Sequence, residues 1–223
     1  MELYHIINRG VDKRRIFTQE KDFLRFIHNM FEFNDERRAD TASYFFNKSI
    51  DLETRSILHT DRELLVDIHA FALMPNHYHL LLSSRIGKGI PRFMHKLNMG
   101  YTKYFNLKYK RTGTLFEGGY RAAHIKDESH FIHIPYYIHF NPLDLYSPEW
   151  RERKLKDYRK AIKFLENYRW SSHLDYLGKK NFPSITSRDF LLDVFRGNKA
   201  YKSAMYSWLK DLELGIFKDY ILE

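Results

Sequence analysis

Two apolar runs meet at Met74-Pro75-Asn76: Leu64 to Leu73 leads into it and His77 to Ser83 leads out. Pro-Asn is a turn signal, and a connection this short can join only antiparallel neighbours. The stretch therefore predicts a β-hairpin. Its second strand opens with His77 and His79, two residues apart, so the two imidazoles share one face while Tyr78, Leu80 and Leu82 share the other. Paired imidazoles at the start of a strand suit two ligands of one metal ion. The same pattern also describes two ordinary histidines in a chain that has twelve.

The flanks fit an α+β fold. Leu3 to Asn8, closed by Arg9-Gly10, reads as a first strand. Thr18 is placed as the N-cap of a helix over Gln19 to Phe33, where Phe23, Phe26, Ile27, Met30 and Phe31 recur at helical spacing. Residues 34–63 are polar and weakly periodic, and read as a surface insertion with a helical piece near 51–58. Gly87-Lys88-Gly89 opens a helix whose stripe is Ile90, Phe93, Met94, Leu97, Tyr101, Tyr104 and Phe105. Tyr120 to Ile125 is a fourth strand, and Asp127 to Phe140 a third helix, stopped by Asn141-Pro142 and interrupted by Pro135. This order predicts a ferredoxin-like antiparallel sheet with helices packed on one face. A helical C-terminal extension follows. We place the boundary at 146, giving a catalytic domain over 1–146 and an extension over 147–223.

Charge narrows the function. Of the net +9, the whole excess lies between Arg85 and Lys126, where ten basic residues face only Glu117. Arg85, Lys88, Arg92, Lys96, Lys103, Lys108, Lys110, Arg111 and Arg121 are the candidate nucleic-acid contacts, interleaved with Tyr101, Tyr104, Phe105, Tyr109 and Tyr120. Cations among stackable rings suit a single strand. The strip argues against a hydrolase of small phosphodiesters. There is no cysteine, which excludes thiolate metal sites and disulfides and fits a reducing compartment. The N-terminus does not read as a signal peptide, and no apolar run has the length of a membrane span.

In the third helix, His130, His133, Tyr137 and Asn141 fall on one face. A metal held partly by Asn141 would lie one turn from the Tyr137 hydroxyl. These residues carry a resemblance. Met74-Pro75-Asn76-His77-Tyr78-His79-Leu80, then Gly113-Thr114-Leu115-Phe116, then Tyr137-Ile138-His139-Phe140-Asn141-Pro142 resemble the IS200-type single-tyrosine transposases. The likeness is greatest to their REP-associated branch, within the HUH endonuclease superfamily. Tyr4-His5 with Asn8-Arg9-Gly10 resembles that family's first strand, and Trp170-Ser171-Ser172 a segment after its core.

The resemblance implies that His77, His79 and Asn141 hold a divalent metal, Mg²⁺ or Mn²⁺ (zinc being also admissible to imidazole), and that Tyr137 is the nucleophile. It implies cleavage and transfer of single-stranded DNA near hairpins, through a 5′-phosphotyrosine intermediate, by a homodimer in the bacterial cytoplasm or nucleoid. The alternative is a domesticated or non-catalytic single-strand-binding protein of the same fold. Two departures stand out: Gly119 and Tyr136 occupy positions where family members commonly carry Arg.

Overall fold

The structure, a computed structural model, describes residues 1–37, 62–152, 154–155 and 157–211. The helical piece expected at 51–58 and the tail after 211 lie outside the described residues.

Four strands form one sheet: β1 (Leu3–Arg9), β2 (Val66–Met74), β3 (His77–Ser84) and β4 (Arg121–Ile125), in the order β2-β3-β1-β4. Every neighbouring pair is antiparallel. With α1 (Glu20–Glu32) between β1 and β2, and α2 (Gly89–Lys108) between β3 and β4, this is the expected ferredoxin-like arrangement. The hairpin closes with Met74 opposite His77 across Pro75-Asn76. Further helices follow: α3 (Glu128–Phe140), α4 (Tyr158–Asn167), α5 (His173–Tyr176), α6 (Asp189–Phe195) and α7 (Asn198–Asp211). Among the described residues no helix is long and apolar enough to cross a membrane.

The helices cover both faces of the sheet, not one. Ile6, Phe71, Leu73, Tyr78, Leu80 and Leu82 pack with α1 and α2. Leu3, Ala70, Ala72, Leu81 and Ile125 pack with α3 and with Trp150, Leu165, Tyr176, Leu191 and Tyr201 from beyond residue 146. The reason lies in β2 and β3, which are apolar on both sides and so need cover on both. A register irregularity between Ile68 and Ala70 breaks the alternation of β2 there, so that Ile68 and Phe71 join the same cluster.

Gln19, not Thr18, caps α1: its side chain and that of Asp22 form a reciprocal capping box. Thr18 instead donates its hydroxyl and its backbone N–H to Asp22. At the far edge, Leu73 N donates to Trp170 O (2.8 Å) and Ser172 N to Phe71 O (3.0 Å), so this segment covers the open edge of β2. Trp170 stacks on Phe23 with centroids 4.6 Å apart.

Pro135 lies within α3 without ending it. The helix is fixed from its far side by His139, whose Nδ1 pairs with the Tyr201 hydroxyl and whose Nε2 pairs with Ser172 Oγ, both at 2.7 Å. His139 is about 200° round the helix from Tyr137. Anchoring the one therefore sets where the other points.

Candidate active site

His77 and His79 stand on the same face of β3, their rings 5.0 Å apart and nearly perpendicular. His77 Nδ1 lies 2.7 Å from Asn76 Oδ1, an oxygen that can only accept, so the proton sits on Nδ1 and Nε2 carries the lone pair. His79 Nδ1 lies 2.9 Å from His5 Nε2 on β1. With His79 as donor there, its Nε2 carries a lone pair too, the outer-shell pattern that orients a ligating imidazole. The Nε2 atoms of His77 and His79 are both buried without a hydrogen-bond partner. Burial is the main reason all three imidazoles resist protonation. His77 is pushed down to about 4, with Asp144 opposing and Arg151 and Arg9 adding to the effect. His79 lies well below its ordinary value, helped by His77, His5 and Arg151. His5 is pushed down to about 3, with His130 adding. Neutral rings with unused lone pairs fit a divalent cation.

Tyr137 reaches this group from α3. Its ring stands edge-on to His79 at 6.0 Å and to His5 at 5.9 Å. One turn on, Asn141 is fully buried and its amide is oriented: Nδ2 donates to Tyr137 O at 2.9 Å, and Oδ1 accepts from Arg151 Nη2 at 2.8 Å. A carbonyl oxygen has two lone pairs, so this bond leaves one for a metal. Arg151 Nη1 lies 3.2 Å from the Tyr137 hydroxyl. Asp144 holds the guanidinium by Nε (2.9 Å) and Nη2 (2.8 Å), and itself accepts from the Trp150 indole at 2.6 Å. Burial alone would weaken the Arg151 charge; its bonds to Asp144 and the charges of Tyr137 and Asp144 outweigh that and reinforce it. Among the described residues no three His, Asp or Glu side chains gather as a metal-binding group. The candidate donor set is two imidazoles and one amide.

The structure thus groups His77, His79, Tyr137 and Asn141 around residues that sequence reasoning did not assign. His5 was legible only as part of a strand, since its partner lies 74 residues away. Arg151 and Asp144 gave no local signal. Tyr136, next to the nucleophile candidate, is buried and stacked on Tyr201 at 5.2 Å and 7°. His133 packs on Trp208 at 4.1 Å.

A cleft of about 220 Å³ opens beside His77 and Asp144, lined also by Arg9, Lys13, Gly119 and Arg121. Asp12 and Lys13 both hold left-handed backbone, at φ 55° and 56°. The expected basic strip is only partly available to a ligand. Arg85 pairs with Asp67 (2.9 Å), Arg92 with Glu36 (2.6 Å) and Lys108 with Asp22 (2.5 Å). Lys96 donates to the carbonyls of Asp35 and Arg37, and Arg111 to Asn106 Oδ1 and Thr114 O. Their partners Asp22, Glu36 and Asp67 come from other parts of the chain, which a count over 85–126 omits. Lys88, Lys103, Lys110 and Arg121 make no ion pair with a described residue, and of these Arg121 lines the cleft.

No curated protein matches the chain. A solved structure of a REP-associated tyrosine transposase bound to a REP hairpin is similar over 84% of this chain and 86% of that one, at 12% identity and a TM-score of 0.44. The family model described as IS200-like transposase matches residues 38–141, a span that contains His77, His79, Tyr137 and Asn141. Over residues 38–141, this chain is similar to the IS200-like transposase family.

Proposed function

We propose that this protein cuts and rejoins single-stranded DNA at hairpin-bearing sites, with Tyr137 as the nucleophile. The observation that carries the reading is the meeting of the Tyr137 ring with His79 and His5 while its hydroxyl and the Asn141 amide share one guanidinium. A phenol beside neutral imidazoles and a buried amide has little use in a core, and serves a phosphodiester well.

The Tyr137 oxygen attacks phosphorus, its proton leaving for solvent, and the bond to the 3′-oxygen breaks. The products are a 5′-phosphotyrosine and, once that oxygen takes up a proton, a free 3′-hydroxyl. The exchange conserves the number of phosphoester bonds, so a second 3′-hydroxyl can reverse it without ATP. His77 and His79, through Nε2, and Asn141, through Oδ1, would hold Mg²⁺ or Mn²⁺. When bound, such a cation supplies charge neutralisation at the phosphate and at the leaving oxygen. His5 and Asn76 keep the two imidazoles in the required tautomer and orientation. Lys13 and Arg121 give the adjoining cleft an affinity for the phosphate backbone, while Arg9 there is paired with Glu117.

The test is incubation with labelled single-stranded hairpin oligonucleotides drawn from the flanks of the protein's own gene. A DNA–protein adduct that survives denaturation is expected with Mg²⁺ or Mn²⁺ and absent with chelator. DNA retention with no adduct under either condition favours the binding-only alternative. The binding surface has its own expected result. Arg121→Ala should flatten the dependence of log affinity on log salt by about 0.7, the single-strand value for one lost phosphate contact. Arg85→Ala, whose cation is already paired with Asp67, should leave that slope unchanged. Equal slopes for both variants would remove the cleft from the DNA path.

A further inference from the structure

Arg151 lies beyond the matched span of 38–141, and nothing in the family resemblance assigns it a role. We infer that Arg151 is a catalytic residue: its guanidinium binds the phenolic oxygen of Tyr137 while that oxygen attacks phosphorus and again while it departs. The inference rests on the proposed nucleophile and deepens that reading.

Three observations carry it. Arg151 Nη1 is 3.2 Å from the Tyr137 oxygen, the atom that gains and loses the bond to phosphorus. The guanidinium is built into place, with Asp144 on Nε and Nη2, Asn141 Oδ1 on Nη2, and the Trp150 ring 4.8 Å from its central carbon. Its side chain is 22% exposed, so its charge acts where water screens little. Gly119, in the cleft wall, and Tyr136, stacked in the core, bring no charge to the site. Arg151 brings a cation to the site from a different part of the chain.

A guanidinium at this spot does what an imidazole or lysine could not. It stays charged and does not give up its proton, so it stabilises the phenolate without competing for the proton that leaves. The strand-transfer step makes the demand plain. There the incoming 3′-hydroxyl loses its proton, a new 3′-oxygen–phosphorus bond forms, and the tyrosine–phosphorus bond breaks. The electron pair ends on the Tyr137 oxygen, which then recovers a proton from solvent. A donor fixed on that oxygen favours its departure as much as its attack.

The test compares wild type, Tyr137→Phe, Arg151→Ala and Arg151→Lys. Single-turnover adduct formation is followed on one hairpin oligonucleotide, with Mn²⁺ affinity and melting temperature measured on the same samples without DNA. Arg151→Ala is expected to slow the adduct about 100-fold, the cost of removing one preorganised donor. Its Mn²⁺ affinity should stay within about threefold, since Asn141 remains oriented by Tyr137 O. Non-denaturing guanidinium in the buffer should restore at least a tenth of the lost rate and leave wild type unchanged. If Arg151→Ala melts below the assay temperature, Arg151→Lys is read instead: a single ammonium cannot serve Asp144, Asn141 and Tyr137 together, and a slowing of at least tenfold is expected. A variant rate within threefold of wild type overturns the role of Arg151, as does a loss that merely follows lost Mn²⁺ affinity. If Tyr137→Phe still forms the adduct, the nucleophile reading falls, and this inference with it. If Tyr137→Phe is inactive while Arg151→Ala is not, only this inference falls.

Discussion

Tyr137→Phe is expected to abolish the denaturation-resistant adduct, lowering its rate of formation by more than about 10⁴-fold, because nothing replaces an attacking oxygen once it is removed. The substitution deletes one atom from a residue that is 2% exposed. The ring keeps its edge contacts with His5 and His79 and its packing near Trp150. Arg151 loses one acceptor but keeps Asp144 and Asn141. Stability should therefore change by no more than about 1–2 kcal/mol, and retention of the oligonucleotide should stay within a factor of about three. The three readouts separate cleanly. An adduct that persists in the variant would mean another nucleophile. Tyr136 is nearest in sequence, but its stacking on Tyr201 turns it away from the imidazoles. Lost binding together with lost chemistry would mean that the phenol grips DNA rather than attacks it.

What could be read from the sequence follows from how far each contact reaches along the chain. His77 and His79 share a face because a strand has a period of two, and Tyr137 and Asn141 share one because four residues make about a turn of helix. Both relations are local, and both hold in the structure. The hairpin was legible for the same reason, as was the apolar stripe of α2. His5 was not, because its contact with His79 depends on the β1–β3 register, in which Ile7 stands opposite His79. Arg151 sits within the second of two short turns, Asn141–Leu145 and Pro148–Glu152, and no periodicity carries from α3 across them. The one-sided cover expected for the sheet failed on Ala70, Ala72 and Leu81, apolar residues on the face assumed open. The charge count failed in the opposite way. The cations are present, but their carboxylate partners were outside the window.

Asp22→Asn tests that last point and should have the largest effect on stability. Asp22 is fully buried and accepts six hydrogen bonds. Oδ2 takes Thr18 N (2.9 Å), Thr18 Oγ1 (2.8 Å), Gln19 N (3.0 Å) and the Tyr109 hydroxyl (2.7 Å). Oδ1 takes the Tyr104 hydroxyl (3.0 Å) and Lys108 Nζ (2.5 Å). An amide has only one oxygen. Turned one way, its NH₂ meets the backbone N–H groups that start α1; turned the other, it meets the Lys108 ammonium. Either clash unpicks the joint between α1 and α2, at a cost of about 3 kcal/mol, or roughly 6–12 °C in melting temperature for a chain of this size. The pH dependence has a definite sign. Burial by itself would raise the Asp22 carboxyl, but the bonds from Lys108, Tyr109 and Thr18 outweigh it and hold it down to about 2, from an ordinary 3.8. A depressed acid stabilises the fold above its unfolded value and loses that contribution as pH falls through its folded one. The stability gap between wild type and Asp22→Asn in urea should therefore be constant from pH 7 to about 5 and narrow steadily below about 4. A gap that persists unchanged to pH 2 would show that packing, not the carboxylate charge, is what the substitution disturbs. DNA affinity should not fall in the folded variant, because Lys108 is released from its partner. A loss of affinity there would mean that Lys108 contacts DNA from within the pair, and would return it to the binding surface.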